Sequence, residues 1–170
     1  MTFENLNLIP AILKALVDQN YTEPTSIQEK AIPLVLNHHD VLGSAQTGTG
    51  KTAAFGLPMV NEVDFDSKKT QGLVICPTRE LCIQISKDFQ AFSRNFRNAN
   101  IVPVYGGASI DTQTRQLSRG AQIVVATPGR LVDMIKRKRV DLSQVQFVAL
   151  DEADEMLNMG FKEDIDGILS

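Results

Sequence analysis

Two hydrophobic periods alternate along the chain. Between Leu6 and Val17 the apolar positions 8, 9, 12, 13, 16 and 17 share one face of a 3.6-residue helix. Pro10 falls in its first turn, where a missing N–H is harmless. Pro24 breaks that helix, and Thr25 or Ser26 can cap a second one through Ile27, Ala31, Ile32, Leu34 and Val35. Short apolar runs then predict five strands: Val41-Leu42-Gly43, Gly72 to Cys76, Ile101 to Tyr105, Gln122 to Ala126 and Gln146 to Leu150. Helical patterns separate them, after the first run, from Arg79 (apolar at 81, 82, 85, 89, 92 and 96), from Ser109 to Ser118, and from about Arg130. Val63 to Thr70 is polar with charges of both signs and reads as an exposed connection. Pro103 lacks a ladder donor, so its strand belongs at a sheet edge. Strands apolar throughout and alternating with helices predict an α/β fold with a mostly parallel sheet covered on both faces.

In such folds ligands bind at the carboxyl ends of strands. Every distinctive polar motif lies at one. Ala45-Gln46-Thr47-Gly48-Thr49-Gly50-Lys51-Thr52 follows the first run and opens into a helix, the context of a phosphate-binding loop. Its N–H groups would converge on an anion, Lys51 would reach the outer phosphates, and the Thr52 hydroxyl would ligate Mg²⁺. Ala45 stands where the pattern usually has glycine and cannot take positive φ freely. The bland alternative is a Gly/Thr-rich surface turn. Asp151-Glu152 ends the last strand, where Asp151 can hold the metal and Glu152 can orient and deprotonate an attacking water. Asp154 adds a third carboxylate with no role that chemistry alone assigns. Pro77-Thr78-Arg79, Gly106-Gly107 and Thr127-Pro128-Gly129-Arg130 end the other strands. Taken singly, Gly106-Gly107 reads equally as a turn and Thr127-Pro128-Gly129 as a helix start.

Composition narrows this further. At 170 residues the chain supports one domain with a core and is too short to promise two. Hydrophobic content of 43% and charged content of 22% are ordinary for a soluble protein, and no apolar run matches a membrane span or a signal sequence. Cys76 and Cys82 are no disulfide framework and read as buried, reduced thiols of a cytoplasmic protein. A net charge of −3 excludes a generic polyanion-binding surface, so a nucleic-acid site must be local and built from amides and hydroxyls. The basic run Lys136-Arg137-Lys138-Arg139 ends a helix, where it complements the dipole. His38 and His39 lack partners at ligand spacing and read as helix-end residues.

Taken in order, these motifs resemble the first RecA-like domain of the DEAD-box RNA helicases, and Asp151-Glu152-Ala153-Asp154 spells the eponymous motif. The resemblance covers essentially residues 1–170 and implies a three-layer RecA-like P-loop fold. Phe3 and Glu23-Pro24-Thr25-Ser26-Ile27-Gln28, in the segment 1–29, resemble the Q motif. That implies an ATP site in which Gln28 reads the adenine edge and Phe3 packs near the base; a carboxamide can donate and accept together. Pro77, Thr78, Arg79, Gly106, Gly107, Thr127, Pro128, Gly129 and Arg130 resemble the family's contacts to the backbone of single-stranded RNA. Arg79 could equally be structural, pairing with a carboxylate. The implied cofactors are ATP and Mg²⁺, and the implied partners are RNA and a second RecA-like domain, to which Asp154 would couple.

The chain departs from the family at Asn20-Tyr21, Cys82 and Asp164, none of which removes an ATP motif. It also ends before the family's Ser-Ala-Thr strand, so a fragment of a longer protein is expected, nearly inactive alone. Two rivals share these motifs: a non-unwinding, ATP-dependent RNA clamp or scaffold, and a P-loop ATPase acting on protein or DNA.

Overall fold

Four of the five apolar runs form strands, and the fifth does not. The computed structural model describes residues 2–43 and 50–170. Strands β1 (Gly72–Ile75), β2 (Ile101–Val104), β3 (Ile123–Ala126) and β4 (Phe147–Leu150) pair in parallel in the order β2-β3-β1-β4. Pro103 therefore sits on an edge strand, as its missing donor requires. Val41-Leu42-Gly43 carries no strand pairing; Val41 is 38% exposed and Leu42 fully exposed. Three residues make a strand only where a neighbour supplies a ladder, and none of the described strands does so here.

The helices are α1 (Pro10–Asp18), α2 (Ser26–Leu36), α3 (Lys51–Glu62), α4 (Arg79–Phe92), α5 (Ile110–Ser118), α6 (Pro128–Lys136), α7 (Ala153–Asn158) and α8 (Lys162–Leu169). A 3₁₀ turn, Phe3–Leu6, precedes them, so the expected Leu6 start moves to Pro10, which takes the first helical position. No described helix is long and apolar enough to cross a membrane.

By packing the chain divides into two compact units, Met1–Val63 with Asp88–Arg97, and Asp64–Lys87 with Asn98–Ser170. The first unit is helical. Ile12, Leu16, Ile32, Leu57 and Val60 are fully buried in it. Gly56 lets α3 meet Phe89, because a Cβ there would lie 2.7 Å from the ring. Phe3 packs edge-on to Tyr21, and Tyr21 edge-on to Phe92, both at 6.2 Å.

The second unit holds the sheet. Leu73, Ile75, Val102, Val104, Val124 and Ala126 share a core with Leu131 and Met134 of α6, Met156 of α7 and Ile165 of α8. On strand β3 the Val125 carbonyl accepts from Cys82 Sγ at 3.1 Å, so the first turns of α4 cover that strand. β1 and β3 are buried throughout, whereas β4 alternates half-buried and exposed residues, with Val148 at 47% and Leu150 at 39%. The expectation of a strand buried on both faces fails at β4, one face of which is left exposed at Val148 and Leu150 although the other edge strand, β2, is largely buried. The connection after α3 is less exposed than its polarity predicts. Val63, Phe65 and Thr70 are buried, and Gln122 donates to the Phe65 and Ser67 carbonyls at 3.3 and 2.8 Å.

Candidate functional site

Of the phosphate-loop candidates, Ala45, Gln46, Thr47, Gly48 and Thr49 lie outside the described residues. Gly50, Lys51 and Thr52 form the start of α3. Gly50 takes φ +83, and the Ala54 N–H donates to its carbonyl at 3.1 Å. The first N–H groups of a helix have no partner within it, so the half-buried Lys51 and Thr52 sit at an electropositive terminus.

Gln28 reaches this terminus from α2. Thr25 caps α2 with a reciprocal box: the Gln28 N–H donates to Thr25 Oγ1 at 3.4 Å, and the Thr25 N–H donates to Gln28 Oε1 at 2.9 Å. With its oxygen so held, Gln28 donates from Nε2 to the Gly50 carbonyl at 3.1 Å. The side chain is only 1% exposed. Gly50 is therefore needed twice, for its φ and because a Cβ would stand 2.3 Å from Gln28 Nε2. Phe3 is 4% exposed, buried against Tyr21.

In the second unit the carboxyl ends of the strands are joined by backbone bonds. The Cys76 N–H donates to Ala126 O, Thr127 N–H to Val104 O, and Asp151 N–H to Ile75 O, at 3.0, 2.9 and 2.9 Å. Side chains then tie the motifs together. Thr78 caps the start of α4, accepting from the Leu81 N–H at 3.2 Å. The Arg79 guanidinium stands 5.3 Å from the centre of the Tyr105 ring, and Gly107, at φ +84, leaves it room. Among the described residues Arg79 makes no ion pair, so a cation–π contact replaces the carboxylate partner considered from sequence. Pro128 takes the first position of α6 after Thr127, and Gly129 is exposed with open space where a Cβ would be. Arg130 donates to Ala108 O at 3.1 Å and to Gln113 Oε1 at 3.0 Å. Gln113, 4% exposed, in turn donates to Tyr105 O at 3.0 Å. Sequence reasoning missed Gln113 and Tyr105. A glutamine on a polar helix carries no motif, and only its burial marks it.

The acidic motif leaves β4 abruptly. Asp151 is 7% exposed, while Glu152 is exposed and takes φ 55, ψ 49, the left-handed region that disfavours side chains. Its carbonyl nevertheless accepts from the Met156 N–H at 3.1 Å, starting α7. Asp154 is exposed and accepts from the Glu155 N–H at 3.0 Å. Beneath the motif, a hydrogen bond with Cys82, then burial, then the charges of Cys82, Asp151 and Glu152 push the Cys76 thiol far above its usual range. Both cysteines are buried and free, inert rather than nucleophilic. No described group of three or more His, Cys, Asp or Glu could hold a metal.

Comparison with known proteins identifies the family and the fold. The family model described as DEAD/DEAH box helicase matches residues 25–170. The ATP-dependent RNA helicase DeaD of Escherichia coli K12 is 51% identical over 169 residues, 99% of this chain and 27% of that protein. The protein of the same name from Mycobacterium tuberculosis H37Rv is 49% identical over 99% of this chain and 30% of its own. The DEAD-box ATP-dependent RNA helicase CshA of Bacillus subtilis is 48% identical over 100% of this chain and 34% of its own. The crystal structure of a DEAD box protein from Methanococcus jannaschii superposes with a TM-score of 0.94 at 42% identity, covering 99% of this chain and 46% of that one. The chain thus spans about a third or less of the curated relatives it matches.

Proposed function

Because the chain belongs to the DEAD/DEAH box helicase family, we propose that it is the ATP-binding part of a cytoplasmic, ATP-dependent RNA helicase that requires a second RecA-like domain. Single-stranded RNA lies on the strand ends, gripped through its backbone by Thr78, Arg79, Gly106, Gly107, Thr127, Gly129 and Arg130. The observation that supports this most is the chain of contacts from Arg79 through Tyr105 and Gln113 to Arg130, which makes three separate motifs one polar edge.

ATP occupies the loop 45–52, with Lys51 on the outer phosphates and Gln28 and Phe3 toward the adenine. Gln28 can do this while keeping its bonds to Thr25 and Gly50, since one N–H and one lone pair remain. The Thr52 hydroxyl and the Asp151 carboxylate are hard oxygen donors of the kind Mg²⁺ takes, and few protein ligands suffice when phosphates supply the rest. Bound there, the metal would neutralise charge on the β and γ oxygens. Glu152 Oε accepts the proton of the attacking water. Asp154 carries the signal to the second domain.

The test is a Glu152→Gln variant of the full-length protein. It should bind ATP and RNA like wild type and lose RNA-stimulated hydrolysis by about 10²–10⁴-fold, the usual worth of a general base. Hydrolysis within tenfold of wild type defeats the assignment of Glu152. Stimulation by DNA as strong as by RNA defeats the substrate class. Unwinding of a short duplex separates a helicase from a clamp.

A further inference from the structure

Helix-dipole complementarity explains only part of the basic run 136–139. Arg137 pairs with Asp133 one turn earlier, at 3.0 Å. The helix then closes with Lys138 N–H donating to Ile135 O and Arg139 N–H to Met134 O, at 3.0 and 2.9 Å. Lys138 takes φ 57, the position usually given to glycine. That reversal delivers Arg139 to a cavity of about 140 Å³ that it shares with Lys68 and Lys69, remote in sequence. The walls are fixed. Gly120, at φ +93, lets Lys68 lie against its backbone, where a Cβ would stand 2.7 Å from Lys68 Cβ. Thr70, buried, donates its hydroxyl to Ala121 O at 2.6 Å. Leu117 and Val140 add apolar surface.

Three cations meet one carboxylate here, in a chain whose net charge is −3. A hydrogen bond from the Ser143 side chain, then one from the Ser143 N–H at 2.9 Å, and the charge of Lys69 hold the Asp141 acid below its usual range. One Asp141 oxygen is thus already committed to Ser143. Among the described residues none of Lys68, Lys69 and Arg139 makes an ion pair within 4.0 Å. The cavity lies at the amino ends of the strands: Thr70 precedes β1, and Val140 leads toward β4. A strand of four residues spans only about 13 Å, so this edge and the motif edge are the two ends of one sheet.

We infer that this cavity is a second phosphate-binding site, taking a phosphodiester of RNA that flanks the segment held at the opposite edge of the sheet. The RNA source rests on the reading under Proposed function, whereas the phosphate chemistry rests on the cavity alone. The experiment therefore has two arms on the 170-residue chain. In the first, inorganic phosphate is titrated while backbone amides are followed by NMR. Saturable shifts at Lys69, Thr70 and Val140 that vanish in the triple variant Lys68→Ala/Lys69→Ala/Arg139→Ala support the site, and their absence overturns it.

In the second arm, single-stranded RNAs of about 10 and about 30 nucleotides are compared across salt concentrations. The triple variant should lose about tenfold in affinity for the longer RNA and flatten its salt slope by about 0.7, the share of one phosphate on a single strand. The shorter RNA should bind it within about twofold of wild type. Equal losses for both lengths, no loss for either, or the same loss in the control variant Lys14→Ala/Lys30→Ala/Lys87→Ala overturn the RNA source. So does a longer RNA that leaves the cavity amides unmoved. A wild-type chain that binds neither RNA defeats the strand-end reading and the RNA source together, and the phosphate arm still decides the cavity.

Discussion

Replacing Gly50 by alanine tests the link from the Q-motif glutamine to the phosphate loop. Gly50 sits at φ +83, and left-handed backbone costs a non-glycine residue about 1–2 kcal/mol. The new Cβ would also stand 2.3 Å from Gln28 Nε2 and 3.0 Å from Thr25 Oγ1, so the buried carboxamide must move. Moving it breaks the bond to Gly50 O and strains the Thr25 cap, worth about 1 kcal/mol each. The sum is about 3–4 kcal/mol, a fall in Tm of about 6–16 °C for a chain of this size. Gln28→Ala alone removes the same two bonds, about 2 kcal/mol. In the double variant the Cβ meets no carboxamide and only the backbone cost of Gly50→Ala remains. Urea unfolding of all four proteins, compared at constant m-value, should give a coupling of about 1.5–2 kcal/mol. Additivity within about 0.5 kcal/mol would refute the reasoning, because Gly50 would then be required for its φ alone.

Three further outcomes follow from the second unit. Glu152→Gly relieves φ 55 and should raise stability by about 1 kcal/mol while abolishing hydrolysis in the full-length protein; a lower Tm sinks the strain argument. Gln113→Leu removes the tether of Arg130 and should weaken RNA binding several-fold with ATP affinity unchanged, while Gln113→Glu keeps a tether but pairs its charge; wild-type RNA affinity in both contradicts the reading. The hydrogen bond with Cys82 and burial hold the folded Cys76 thiol far above its ordinary value of about 9, so it stabilises the native state fully below that pH. As pH rises past about 9 the unfolded thiol ionises and the folded one does not, and stability should fall by up to about 1.4 kcal/mol per unit. Half-buried Tyr21, whose hydroxyl is also pushed up by burial and by Asp88, adds in the same direction above about 10, so the slope between Cys76→Ala and wild type isolates the thiol. A slope unchanged by that substitution ends the argument.

Elements set by local chemistry were legible, and those set by distant partners were not. Thr25 as a cap, Pro10 at a helix start, Pro103 on an edge and motifs at the carboxyl ends of β1 to β4 each follow from a few neighbouring residues. Val41-Leu42-Gly43 has the composition of a strand, yet a strand is a property of a pair, and the sequence does not display the partner. The same limit hid the exposure of Val148 and Leu150 on β4. Gln28 could equally have been a surface helix residue by sequence, and neither its burial nor its bond to Gly50, 22 positions away, was legible. Gln113 lay in a helix whose polarity looked like solvent exposure, and its burial depends on Tyr105 and Arg130 arriving from other elements. The basic run looked like a dipole cap because its companions, Lys68 and Lys69, sit in a connection with charges of both signs.

Under the proposed function, what fixes the two arginines of the motif edge accounts for an acidic chain serving a polyanion. An arginine oriented by a carboxylate is well positioned, but its charge is already neutralised for any phosphate nearby. Here Arg130 is oriented by a backbone carbonyl and a carboxamide, and Arg79 by the face of a ring, all uncharged. Each keeps a full positive charge in a defined place, which matters more than net charge when the ligand is held by a few oriented donors. The described ion pairs, Arg94 with Asp18, Arg137 with Asp133 and Lys162 with Asp166, are exposed and involve neither arginine, and such pairs contribute little. Much of the grip at the motif edge should therefore persist at high salt, because its two cations stand among neutral donors whose contacts release no counterions.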